Sequence, residues 1–205
     1  GFKSEKFRRL NTMVKNKYFI NILVENVSNI LRLTKQNKSN SIILNYDDKS
    51  KDLFSWYQQL VAESLGKKGK GILPLVSNMP KDNHSLMQYY LDGKKNNFFT
   101  LFFVKDNLSK IDKEKIMKSH FFLKGKDLND ISYSQFNATA KVFKKKNIPF
   151  RSFFINKRNE QTLGELFTFF ILETILLGRA MNVNPFDQPA VELIKKETKK
   201  NLVNL

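Results

Sequence analysis

FFTLFFV, residues 98–104, is apolar at every position but Thr100. A strand with one face in water alternates polar and apolar side chains, so a run without alternation needs cover on both faces. Three more short runs share this character: SIILNY (41–46), ILPLVS (72–77) and FRSFFI (150–155). Between them lie segments of helical period, roughly residues 50–65, 85–91, 113–121 and 134–146. Strand and helix in turn point to an α/β fold, a three-layer αβα sandwich around a mainly parallel sheet. One helix is expected ahead of the sheet, over residues 18–33, and two behind it, over about 161–179 and 189–201. The punctuation agrees. Gly66, Gly69 and Gly71 part the second strand from the helix before it, Asp92-Gly93 ends a helix, and Pro149 leads into the fourth strand.

At 205 residues the chain can bury a sizeable core, as one large domain or two small ones. It has no cysteine, which excludes a disulfide framework, a thiolate nucleophile and a zinc–sulfur site, and fits a reducing compartment. The longest apolar run, LFTFFILETILLG, contains Glu173 and falls short of the roughly 20 residues that span a bilayer. The opening GFKSEKFRRL lacks an initiator Met and the apolar stretch of a signal peptide, so the start is expected to lie inside a longer protein. No G-x-G-x-x-G or Walker A spacing marks a dinucleotide or ATP site.

The formal charge of +17 raises nucleic-acid binding as one reading. Its distribution favours a solvated, lysine-rich surface instead. Lysines sit at loops and helix ends (KSKD, GKKGKG, DGKKNN, VFKKKN, KKETKK), and phenylalanines lie inside apolar runs, not interleaved with Arg as in single-strand readers.

Three separated segments hold titratable groups beside ligand-holding residues: WYQQLVAESLGK (56–67), KDNHSLMQYYLDG (81–93) and NPFDQPAVELIKK (184–196). In the first, Trp56, Leu60 and Val61 are expected to form a buried stripe. Gln59 and Glu63, four apart, share a face and can address one ligand together. Glu63 falls in the last turn, just ahead of Gly66, a natural helix stop. In the second, His84 occupies a strand-following loop, where open parallel sheets place ligands. In the third, Pro185 and Pro189 frame a turn, and Asp187 is placed to cap the helix beginning near Pro189. Gln188 then sits at that helix's N-terminus, and Lys195, in its second turn, is able to point back to the same place.

A carboxylate, an imidazole and an amine make a kit for moving protons on a sugar. Taken singly, each also has a plainer reading. Glu63 fits a solvated helix carboxylate, His84 a capping-region histidine, and Lys195 one member of the basic run Lys195, Lys196, Lys199, Lys200. His120, in KSHFFLKG, reads as a surface or packing residue.

In this order and at these intervals the three segments resemble the phosphoglucose isomerases, over roughly residues 41–200. NPFDQPAVELIK carries most of the resemblance, departing from the family's phrase at Ala190, where Gly is usual; QQLVAESLGKKGKGILP and DNHSLMQYYLDG add to it. The resemblance implies a sugar-isomerase (SIS-type) sandwich and interconversion of glucose 6-phosphate and fructose 6-phosphate in the cytoplasm, serving glycolysis and gluconeogenesis. It implies Glu63 as the base that passes a proton between C1 and C2 through a cis-enediol, His84 and Lys195 as the ring-opening acid–base pair, and Gln59 and Gln188 as holders of sugar hydroxyls. It also implies no metal or organic cofactor, and a homodimer whose active site takes the histidine from the neighbouring subunit.

Two family features are absent: the phosphate-binding Ser/Thr loop, and the Gly-Gly-Arg-Tyr/Phe-Ser signature whose arginine stabilises the enediolate. Arg8, Arg9, Arg32, Arg151, Arg158 and Arg179 have no such surroundings. The chain therefore looks like a C-terminal half, inactive without its N-terminal partner. Its expected organisation is a helical lead-in over 1–40, an SIS-type domain over 41–180 and a helical tail over 181–205. The alternatives are a non-catalytic sugar-phosphate-binding module and, less favoured, a basic nucleic-acid-binding domain.

Overall fold

The computed structural model describes residues 3–105 and 118–203. In chain order the elements are α1 (Ser4–Phe7), α2 (Leu10–Met13), α3 (Lys17–Lys35), β1 (Asn40–Asn45), α4 (Lys51–Leu65), β2 (Leu73–Asn78), α5 (Asp82–Ser85) and α6 (Met87–Asp92). There follow β3 (Asn97–Val104), α7 (Leu128–Lys145), β4 (Phe150–Ile155), α8 (Glu160–Ala180) and α9 (Pro189–Val203). All strand pairings are parallel, in the order β2-β1-β3-β4. This is the α/β sandwich that the strand–helix alternation predicts.

The register sets which side chains share a face. Ile43 stands opposite Val76 on one side and Thr100 on the other, and Leu101 opposite Ser152. One face of the sheet, with Ile43, Phe98, Phe102 and Val104, packs against Leu23, Val27 and Ile30 of α3, Phe54, Tyr57 and Val61 of α4, and Phe169, Phe170 and Leu177 of α8. The opposite face, with Ile42, Leu44, Phe99, Leu101 and Phe103, packs against Tyr90 of α6 and Phe136 and Phe143 of α7. Ring contacts tie helices to the sheet, Phe54 to Phe102 at 4.7 Å and Phe99 to Phe143 at 4.8 Å between centroids, and tie α4 to α8 within one layer, Tyr57 to Phe170 at 4.8 Å. Because α3 feeds the same core as α4 and α8, it is part of the sandwich.

Every residue of β3 is buried, and so are five of the six in β1. The outer strands depart from the expectation of two-sided burial. Leu73 in β2 is 54% exposed and Phe154 in β4 is 41% exposed. Both are sheet edges, and Pro74 suits one, since it has no N–H to offer a further strand.

Helix boundaries follow their caps. Asn16 accepts from the N–H groups of Tyr18 and Phe19 and starts α3. In α7 the Asp127 side chain accepts from Asp130 N at 2.7 Å while Asp130 accepts from Asp127 N at 3.1 Å, a reciprocal capping box. That box starts α7 six residues ahead of the apolar-periodic segment from which its start was read. Of the helix expected over 113–121, residues 113–117 lie outside the described residues, and 118–123 form 3₁₀ turns. On α4 the buried stripe is Leu53, Phe54, Tyr57, Val61 and Leu65, whereas Trp56 and Leu60 are only partly buried against it. At Gly164 the backbone of α1 lies so close that an added Cβ would meet Phe7 O at 1.9 Å, a contact only glycine permits.

Inside the first core sits an ion pair. Arg151 on β4 is bidentate to Glu173 on α8, with Nη2 donating to Oε2 at 3.0 Å and Nη1 donating to Oε1. Arg151 Nε also donates to Thr100 Oγ1 at 3.0 Å, and its guanidinium lies 5.3 Å from the Phe153 ring centre. Burial alone would lower the Arg151 pKa, but the facing Glu173 carboxylate reverses this and raises it. Removing one partner strands a buried charge. Glu173→Leu is therefore expected to cost about 3–5 kcal/mol in urea unfolding, and Arg151→Met/Glu173→Leu markedly less than Glu173→Leu alone. Equal losses in the two variants would show that packing, not charge, sets the cost.

Candidate functional site

Glu63 lies in the last turn of α4, whose C-cap is Gly66. Four residues earlier on the same face, Gln59 donates from Nε2 to Glu63 Oε1 at 2.9 Å. The other oxygen is reached from far along the chain. Gln188 donates from Nε2 to Glu63 Oε2 at 2.5 Å. One carboxylate thus takes a carboxamide on each oxygen, one from its own helix and one 125 residues away in sequence.

The route of the chain from α8 explains that arrival. After Ala180, Asn182 adopts a positive φ of 56°, and Val183 N–H returns to Gly178 O at 2.9 Å. Val183 is buried in the first core, which draws residues 184–188 under the end of α4. There Asn184 closes a local turn, its Oδ1 accepting from Phe186 N–H at 3.1 Å and its Nδ2 donating to Asp187 Oδ2 at 3.0 Å. Lys67, just past Gly66, spans the joint. Its ammonium is 2.9 Å from Asp187 Oδ1 and donates to the Asn184 carbonyl. A cavity of about 420 Å³ opens here, lined by Ala62, Glu63, Lys67, Asn184, Gln188 and Ala190 among others.

Gln59, Glu63 and Gln188 are therefore brought together, as the spacing and resemblance predict. His84 and Lys195 stand elsewhere in this chain. Lys195 is seven residues beyond Gln188 on α9, about 10 Å along the axis, and its ammonium pairs with Glu192 Oε1 at 2.7 Å. His84 is exposed on α5. The end of α4 abuts Gly71, where an added Cβ would meet Leu65 O at 2.4 Å, so Glu63 lies at the N-terminal end of β2. Asp82 accepts from Asn78 N–H at 2.8 Å, which fixes His84 at the C-terminal end of β2. The strand alone separates the two by roughly 17 Å.

Asp187, read as a helix cap, instead serves Lys67 and Asn184. Lys67 and Asn184 had no role in the sequence reading, although both stand inside quoted segments. Their signal was position: each directly flanks a residue pattern that carries the site. His120 is exposed, with its ring 6.1 Å from that of Phe122. Among the described residues, no group of three or more His, Asp or Glu side chains is arranged to hold a metal ion, and no helix is long and apolar enough to cross a membrane.

Fold and site put the chain in the class of parallel-sheet αβα proteins with a carboxylate held between carboxamides at the end of a helix. No protein-family model matches it. Curated relatives do. A probable glucose-6-phosphate isomerase of Methanococcus maripaludis is 32% identical over 197 residues, 96% of this chain and 43% of the relative. A glucose-6-phosphate isomerase of Methanocaldococcus jannaschii is 34% identical, over 79% of this chain and 40% of the relative. One from Mycoplasmopsis pulmonis is 36% identical, over 75% and 37%. The chain belongs to the glucose-6-phosphate isomerase family, and it spans less than half the length of these relatives.

Two solved structures share the fold. A hypothetical protein of Thermus thermophilus gives a TM-score of 0.86 at 23% identity, over 97% of this chain and 49% of that one. A glucose-6-phosphate isomerase of Chlamydia trachomatis gives 0.62 at 16% identity, over 80% and 34%.

The hydrogen bond from Lys67, supported by one from Asn184, holds the Asp187 carboxyl below the usual aspartate range. A carboxyl with a depressed folded-state pKa keeps its contribution above the ordinary value and loses it as pH falls through the depressed one. Residues 184–188 are therefore expected to stay docked at neutral and mildly acidic pH and to loosen only below the ordinary aspartate range. Hydrogen exchange at Phe186 N–H across a pH series, corrected for intrinsic rates, measures this; release near neutral pH would contradict it.

Proposed function

We propose that this chain is the C-terminal part of an aldose–ketose isomerase that interconverts glucose 6-phosphate and fructose 6-phosphate, with Glu63 as the base. The observation that carries this reading is the grip on Glu63 by Gln59 and Gln188, one carboxamide on each oxygen. Moving a proton between adjacent sugar carbons needs one base that reaches both through the enediol, so its orientation must be fixed. Two donors fix it. Both carboxamides are exposed, and Gln188 lines the cavity, which leaves them free to meet sugar hydroxyls.

Ring opening falls to His84 and Lys195. The position of His84 at the far end of β2 supports a homodimer in which one chain's histidine serves the other chain's carboxylate, because a single sheet holds the two apart. The partner portion of the full-length protein supplies the phosphate-binding loop and the arginine that this sequence lacks. The reading needs no metal and no organic cofactor, and it places the enzyme in the cytoplasm.

The test is fructose 6-phosphate conversion by the full-length protein that carries this sequence, beside its Glu63→Gln variant and the 205-residue chain alone. The full-length protein should turn over, and Glu63→Gln should lose activity by at least about 10²-fold, the order expected for removing a positioned base. The isolated chain should be inactive. Full activity in Glu63→Gln would move the base elsewhere, and an inactive full-length protein that still binds sugar phosphates would make this a regulatory binding module.

A further inference from the structure

We propose that Lys67 is a positioning residue for the reaction: it clamps the 184–188 turn so that Gln188 holds Glu63 in its working orientation. This rests on the reading of Glu63 as the proton-shuttling base.

The two donors to Glu63 differ in how they are secured. Gln59 belongs to the same helix, so forming α4 places it. Gln188 depends on where a turn from another part of the chain comes to rest. Apolar burial fixes that turn only in part: Val183 and Pro185 are buried, whereas Asn184, Phe186, Asp187 and Gln188 are exposed. The residues next to Gln188 must therefore be held by polar contacts.

Lys67 makes two of them, to the Asn184 carbonyl and to Asp187, the immediate neighbour of Gln188. Asn184 Nδ2 on Asp187 Oδ2 leaves Oδ1 turned to the ammonium. The burial is uneven, with the Lys67 side chain 10% exposed and Asp187 52%. A lysine so covered is uncommon without a partner for its charge, and among the described residues this turn supplies that partner.

Chain geometry couples clamp and base. Glu63 and Lys67 are four residues apart across the end of α4, so a shift of the turn at Asp187 is passed to Gln188 and then to Glu63 Oε2. The nearby Lys70 does not substitute. It donates to Met181 O at 3.0 Å, ahead of the turn. A displacement of about 1 Å in a reacting group can cost on the order of 10²-fold in rate, so a modest slackening is enough to matter.

The experiment uses the full-length protein carrying this sequence as wild type, Glu63→Gln, Lys67→Met, Lys67→Arg and Asp187→Asn. Steady-state fructose 6-phosphate kinetics and thermal melting are measured on each. Lys67→Met, which keeps the apolar stem, should lower kcat by about 10–100-fold with KM within about threefold of wild type, and Lys67→Arg should recover most of the loss. Asp187→Asn, which keeps the hydrogen bond from Asn184, should lower kcat in the same sense by a smaller factor.

Unchanged kcat in Lys67→Met while Glu63→Gln is inactive overturns the clamp and leaves the base in place. A raised KM at unchanged kcat also overturns it, since Lys67 would then bind substrate directly. If Lys67→Met fails to fold, Asp187→Asn decides: a fall in kcat supports the clamp, and wild-type kcat rejects it. Full activity in Glu63→Gln defeats the base itself, and with it the purpose of the clamp.

Discussion

Everything in this molecule is arranged around the need to cover β3 on both faces. All eight of its residues are buried, and its side chains alternate between two separate aromatic cores. A strand of that composition in a parallel sheet cannot be covered by hairpins, because parallel neighbours are joined only by crossovers. Crossovers bring helices back to the N-terminal end of the sheet each time. That is why α4 delivers its last turn, with Glu63, to the same end at which α8 releases residues 184–188.

Two ion pairs show how the same chemistry serves different ends at different depths. Arg151 and Glu173 lie inside the core, where Glu173 is 1% exposed and neither charge tolerates loss of the other. They join β4 to α8 by two parallel hydrogen bonds. Lys67 and Asp187 meet at a joint between two segments, the lysine covered and the carboxylate open to solvent. Water at the carboxylate screens the pair in part, so its contribution to stability is modest. What it supplies is geometry, since the residue after Asp187 is the one that meets the carboxylate. The energetic weight of an interaction and its importance to a site are separate questions.

The sheet also limits what one chain can assemble. Glu63 belongs to the end where the strands begin and His84 to the end where β2 finishes, and no rotamer change spans that distance. Within one chain the two groups therefore serve separate places, and Gln59 and Gln188 stay exposed at the first of them.

The four strands, the helices that cover them and the parallel topology were legible in the sequence, because hydrophobic period reports directly on which faces must be buried. Gln59 and Glu63 were legible too, since a spacing of four on a helix is a statement about space. Contacts that close across the fold were not. Glu173 reads as a charge interrupting an apolar run, and only the packing of α8 on β4 supplies Arg151 as its partner. Asp187 reads as a helix cap, and only the descent of 184–188 beneath α4 turns it toward Lys67. The sequence by itself determined the layers and the pairing of Gln59 with Glu63 on one face of α4, because those follow from local periodicity. The tertiary structure decided which distant residues meet there, because contacts between segments more than a hundred residues apart depend on how whole helices pack.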